Sequence, residues 1–240
     1  MEKFNLYKYY APESYNFDAL ERGYWFFKQF GYANDPFDCD WNLLDIIHNK
    51  WGLKSDDIQK DAALHYAICS FSDSPVNKHL WALYCCSYKG FVVEFEYTEN
   101  DYLSFSQKGL PLYLCNVSYV DKDELEKIRT IPTLRLIPPV QENMSPERQA
   151  QHEKDNLFIF LYSIKEKSTW SAECEKRILL GNRLKELPQG VLEECTEAHG
   201  YKVYFSRSMI KRIIAGTNIS DENLQRPKIR KQSQWQSQLQ

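Results

Sequence analysis

Residues 157–180, LFIFLYSIKEKSTWSAECEKRILL, join an apolar helical pattern to a tryptophan, two glutamates two positions apart (Glu173 and Glu175), Arg177 and an apolar run, Ile178 to Leu180. The last part reads as a strand. In an extended segment side chains alternate between faces, so Glu173 and Glu175 are expected on one side. Two carboxylates there, beside a large aromatic, repel each other unless a cation or a substrate sits between them. That favours chemistry. The same residues also suit a solvated strand edge with Lys176 and Arg177 as neighbours, since charged surface pairs are common.

Upstream, Ser145 followed by Pro146 and Glu147 starts a helix, because Ser caps and Pro suits the first helical position. It is expected to run to about Lys167, charged at first and buried in its apolar second half. Downstream, strands are expected over Tyr201–Phe205 and Met209–Ala215, with a turn at Gly216. At the other end, Asn5 to Tyr10 reads as a strand centred on Lys8. Pro12 breaks it, Ser14 or Asn16 caps a short helix, and Gly23 ends that helix. Tyr24 to Gln29 is a second strand, leading to a turn at Asn34–Asp38 in which Asn34 and Asp38 are structural. Asp40 caps a helix over WNLLDIIHNKWG, and a further helical stretch covers Ser55 to Tyr66. A short strand follows at Ala67–Ser72, a helix at Lys78–Tyr88 stopped by Gly90, and an alternating strand at Phe91–Tyr97. After a turn at Gly109 and Pro111 come a strand (Leu112–Val120), a charged helix (Asp121–Thr130) and a proline-bearing loop up to Ser145. About eight short strands mixed irregularly with helices fit an α+β class: a single domain of short, mainly antiparallel strands with flanking helices.

Composition sets the outer bounds. The 240 residues are 43% hydrophobic and 15% aromatic, with 16 Tyr, 13 Phe and 6 Trp, which excludes disorder for most of the chain. Net charge is −3, divided into +4 for Gln225–Gln240 and −7 for the rest. We expect one domain over 1–221 and a flexible, basic, Gln/Ser-rich tail over 222–240. Seven cysteines without a CxxC pair, an N-terminus without an apolar signal core, and no long apolar run point to a cytoplasmic chain with reduced thiols, no structural zinc and no membrane contact.

Glu94 and Glu96 rival the first pair, because they share a face of a better strand pattern. The plain account of them is a half-exposed strand with its polar face in water.

Six motifs occur in order: YKYY at 7–10, NDPFDC at 34–39, CSFS at 69–72, KGFVVEF at 89–95, W-x-x-E-x-E-x-R at 170–177 and IKRIIAG at 210–216. Together they resemble a widespread bacterial domain family of uncharacterised function, often found in mobile and phage-defence neighbourhoods. The likeness spans Leu6 to Asp221. More distantly, the set is similar to ADP-ribosyltransferases, which carry a basic residue on the first strand, a Ser-x-Ser on a later one and a Glu-x-Glu near the end. Lys8, Ser70 with Ser72, and Glu173 with Glu175 fall in that order. Where arginine-type enzymes have Arg, this chain has Lys8, a point charge that cannot fork onto phosphate.

The resemblance implies NAD as substrate, no metal, and ADP-ribose passed to a macromolecular acceptor, in bacterial defence or toxicity, with a neutralising or regulatory partner. Cleaving the nicotinamide–ribose bond builds positive charge on the sugar, which a fixed carboxylate stabilises. Glu175 takes that role and Glu173 acts as general base. Lys8 and Tyr9 on the first strand, Ser70 and Ser72, and the aromatic Trp81, Tyr84 and Trp170 are the candidate NAD contacts. Arg177, also counted among the cofactor contacts, is expected to pair with a glutamate and fix its rotamer. Each aromatic also has a core reading, and each serine a turn-forming one. Glu-x-Lys spacing for a metal-dependent nuclease fails here, and no Walker loop, GxGxxG or GxSxG is present. Two alternatives stay open: a non-enzymatic nucleotide- or protein-binding module, and an NAD glycohydrolase without acceptor.

Overall fold

Every part of the sheet is tied to β3 (Ala67–Ser72). In the computed structural model, residues 2–29, 32, 66–110, 112–137, 145–181 and 190–226 are described. One edge of β3 pairs along its whole length with β8 (Glu175–Leu180), which carries β5 (Leu112–Asn116) on its far side. The other edge is shared. Ser72 lies opposite Tyr7 of β1 (Lys3–Tyr10), while Ile68 and Ala67 lie opposite Lys28 and Gln29 of β2 (Tyr24–Gln29). Antiparallel ladders repeat every second residue, so these pairings would next recur at Tyr9–Ser70 and Phe26–Ser70. Neither register continues that far, and the sheet forks at Ser70.

One arm of the fork runs β1, β4 (Phe91–Thr98), β11 (Ile210–Ala215); the other runs β2, β10 (Gly200–Tyr204), β9 (Leu192–Cys195). All pairings in this nine-stranded sheet are antiparallel. A separate parallel ribbon joins β6 (Ser118–Val120) to β7 (Ile164–Glu166). Among the described residues the helices are α1 (Ser14–Arg22), α2 (Lys78–Leu83), α3 (Glu99–Gln107), α4 (Lys122–Lys127), α5 (Pro146–Leu161), α6 (Lys167–Trp170) and α7 (Asp221–Leu224).

The inner faces of the two arms meet over one aromatic core. Trp25 of β2 is fully buried, with its ring 5.5 Å from Phe71, 5.3 Å from Phe95 and 4.8 Å from Phe205. Phe17 and Leu20 of α1 and Phe105 of α3 close the same core. Burying each such side chain is worth about 1.5–3 kcal/mol. The outer face of β3, β8 and β5 is covered by Phe158, Ile159 and Tyr162 of α5 and its C-cap, and that of β1, β4 and β11 by Trp81 of α2.

The α+β class with mainly antiparallel strands agrees with the expectation; several elements differ. The helix from Ser145 stops at Leu161, and Ile164–Glu166 pairs with β6 as a strand. The stretch 112–120 is broken into β5 and β6. Helix α2 ends at Leu83, because Cys86, Ser87 and Tyr88 all adopt left-handed backbone (φ 48°, 55° and 66°). Helix α1 has Glu13 as its N-cap without a side-chain bond, so neither Ser14 nor Asn16 caps it; Gly23 does end it, at φ 77°. The last strand begins at Ile210, after a 3-10 turn over Arg207–Met209. Residues 222–226, expected in the tail, are packed: Leu224 lies against the core and the Arg226 guanidinium sits 4.0 Å from the Phe17 ring. The Asn34–Asp38 turn, the helices expected between Asp40 and Tyr66, and the rest of the tail lie outside the described residues. Among the described residues no helix is long and apolar enough to cross a membrane.

Candidate active site

Glu175 opens β8 directly opposite Ser72, the last residue of β3. Glu173 is not on that strand. It ends a 3-10 turn, Ser171–Glu173, and Cys174 then takes left-handed backbone at φ 48°. The expected alternation of the two acids along one strand is therefore corrected: a turn, not a pleat, brings them together. Three bonds pin the turn. Ser72 Oγ donates to the Glu173 carbonyl (3.1 Å), Asn77 Nδ2 to the Ala172 carbonyl (2.6 Å), and the Asp73 amide to the Cys174 carbonyl (3.1 Å).

The cation between the carboxylates comes from the chain itself. Lys165 Nζ lies 2.9 Å from Glu173 Oε2 and 2.8 Å from Glu175 Oε2, with the Trp170 ring 4.7 Å away. Lys165 is 4% exposed, so this is a buried charge with two counter-charges. The β6–β7 ribbon aims it, Lys165 standing opposite Tyr119, whose hydroxyl accepts from the Glu175 amide (2.8 Å). Lys165 was legible only as a lysine closing an apolar run and was absorbed into the expected helix; Tyr119 left no signal.

Arg177 is fully buried. It donates Nε to Glu175 Oε1 (2.8 Å), Nη2 to Glu175 Oε2 (3.2 Å) and Nη1 to the Tyr162 carbonyl (2.6 Å). It pairs with a glutamate as expected, but as a cofactor contact it is corrected, since it has no surface to offer a ligand. Burial alone would raise the Glu175 carboxyl; Arg177 and then Lys165 override it and hold the group at about 2. Two acids and two bases thus form a neutral, buried quartet.

Glu173, Glu175 and Lys165 line a cleft of about 1030 Å³ whose walls include residues of β1, β2 and β3. Lys8, Ser70 and Ser72 line it too, as do Tyr9 and Tyr84. Lys8 Nζ spans the fork to the Ser70 carbonyl (2.9 Å) and lies 5.1 Å from the Phe71 ring. Tyr84, at the end of α2, donates its hydroxyl to Glu173 Oε1 (3.3 Å), and burial followed by the Glu173 charge raises its phenol well above the usual tyrosine range. Tyr9 is tied down by Ser74 and Asn77. Trp81 is corrected: it is 1% exposed, donates Nε1 to the Pro75 carbonyl, packs in the core under α2 and does not line the cleft. Trp170 meets Lys165 and is not among the cleft-lining residues. Lys28, Lys202 and Tyr15, all at the cleft, were not anticipated.

The rival acids serve the sheet. Glu94 pairs with Arg212 of β11, and Glu96 lies between Lys3 (3.2 Å) and Lys211 (2.9 Å); neither lines the cleft.

Set against protein-family models, curated proteins and solved structures, the chain matches none.

Proposed function

We propose that the cleft binds NAD and that the acid pair promotes cleavage of its nicotinamide–ribose bond, passing ADP-ribose to an acceptor. One observation carries this: Lys8, Ser70, Ser72, Tyr84, Glu173 and Glu175, from separate parts of the chain, line a single cleft. Its volume, about 1030 Å³, lies just above the roughly 300–1,000 Å³ of small-molecule sites.

As the bond breaks, its electron pair leaves with nicotinamide and positive charge gathers at the ribose carbon. Glu175, ionised and fixed by Arg177, supplies negative charge that needs no reorganisation. Glu173 keeps a less committed oxygen, Oε1, held among the described residues by the 3.3 Å bond from Tyr84, and is the proton acceptor. Lys8 offers a point charge for the pyrophosphate. A second reading has the neutral quartet in its favour: with both acids answered by Lys165 and Arg177, the cleft would hold the nucleotide without cleaving it.

Purified full-length chain incubated with NAD labelled in the nicotinamide ring should release free nicotinamide. Glu173→Gln should lower that rate about 10²–10⁴-fold, the usual worth of a general base, with a smaller loss of stability than Glu175→Gln causes. Saturable NAD binding without release would select the second reading. Neither binding nor release would overturn both.

A further inference from the structure

We propose, on the basis of the NAD-cleaving function above, that Tyr84 is itself an acceptor: the chain attaches ADP-ribose to its own phenolic oxygen and so blocks its cleft. The hydroxyls around the acid pair differ in what they are free to do. Ser72 is 1% exposed and its Oγ is spent on the Glu173 carbonyl. The Tyr119 hydroxyl receives the Glu175 amide, and the Tyr9 hydroxyl both donates to Ser74 and receives the Asn77 amide. Ser70 faces the cleft, but bonds neither acid in the structure. Tyr84 alone of these combines exposure (49%), a place on the cleft wall and a hydrogen bond to a carboxylate, Glu173.

The chemistry balances. The bond between ribose C1′ and the pyridinium nitrogen breaks, its electron pair neutralising nicotinamide. A bond forms from Tyr84 Oη to C1′, and the phenolic proton passes to Glu173 Oε1. The phenol, like that of any tyrosine, holds its proton at neutral pH, so attack needs the base that already touches it. Tyr84 closes α2 just before the left-handed run Cys86–Tyr88, which fixes the end of that helix beside the acids.

The test uses full-length protein and NAD labelled in the adenine ring, with nicotinamide release followed in parallel and protein-bound label mapped by peptide mass spectrometry. The expected result is label on the peptide bearing Tyr84, resistant to neutral hydroxylamine, which strips esters from acidic side chains but spares a phenolic acetal. Tyr84→Phe should abolish that label. Nicotinamide release with unlabelled protein, or with label on another residue, would overturn self-modification and leave NAD cleavage standing. Absence of nicotinamide release would overturn both.

Discussion

Lys165 holds two negative charges at once, and Arg177 holds one of them a second time. Removing a member of such a buried group exposes the charge left behind to a low-dielectric interior. Glu175→Gln should therefore destabilise the fold by about 3–5 kcal/mol, measured by chemical denaturation, since the amide cannot answer the fully buried Arg177. Glu173→Gln should cost much less, as Lys165 keeps Glu175. Activity lost in the first variant says little about chemistry; activity lost in the second does. The same group sets an acid limit. The Glu175 carboxyl is depressed from an ordinary 4.5 to about 2, so its contribution is complete above pH 4.5 and disappears as pH falls towards 2. The wild-type unfolding midpoint should drop through that window, and Glu175→Gln should lack that part of the slope. At this scale the sequence exposed the acid pair and the arginine that holds it. It hid Lys165, because a lysine at the end of LFIFLYSI reads as a helix end until its strand partner, 46 positions upstream at Tyr119, is known.

Short apolar-rich strands were readable, and so were stops enforced by backbone chemistry. Tyr24–Gln29 and Ala67–Ser72 have the expected bounds, and Phe91–Thr98 exceeds its expected length by one residue. Helix α3 was not readable, since ENDYLSFSQ has few apolar positions and only Phe105 is buried. What starts it is a reciprocal cap, with the Thr98 hydroxyl accepting from the Asp101 amide while Asp101 Oδ2 accepts from the Thr98 amide. Thr98→Ala should cost about 1 kcal/mol, seen as a lower denaturation midpoint. Strands β7 and β9, three and four residues long, are too short for a period to emerge. Gly90 marks where α2's turn meets the sheet. A Cβ there would sit 1.9 Å from the Tyr10 carbonyl oxygen, so Gly90→Ala must displace β1 and should lower stability markedly and disturb the neighbouring Lys8 wall of the cleft.

For the molecule as a whole, fold class followed from the irregular mixture of strands and helices, but the fork did not. It depends on which of three strands reaches which end of β3, a matter of contacts between residues 7, 28, 72 and 175 that no local pattern encodes. Trp25 shows how the arms depend on each other: its ring, from one arm, is buried against Phe95 of the other. Trp25→Ala should cost about 3–5 kcal/mol and loosen both arms together, visible as a single broadened thermal transition.

Ser70 pairs with Arg177 on one edge of β3, but on the other it stands at an unfilled rung between the pairs made by β1 and those made by β2. A small molecule wedged there would do the work of the missing ladder contacts and join β1 to β2 across its own body. Occupancy should then slow amide hydrogen exchange in β4 and β10 alike, although neither strand lies beside β3, because opening either arm would first require the guest to let go.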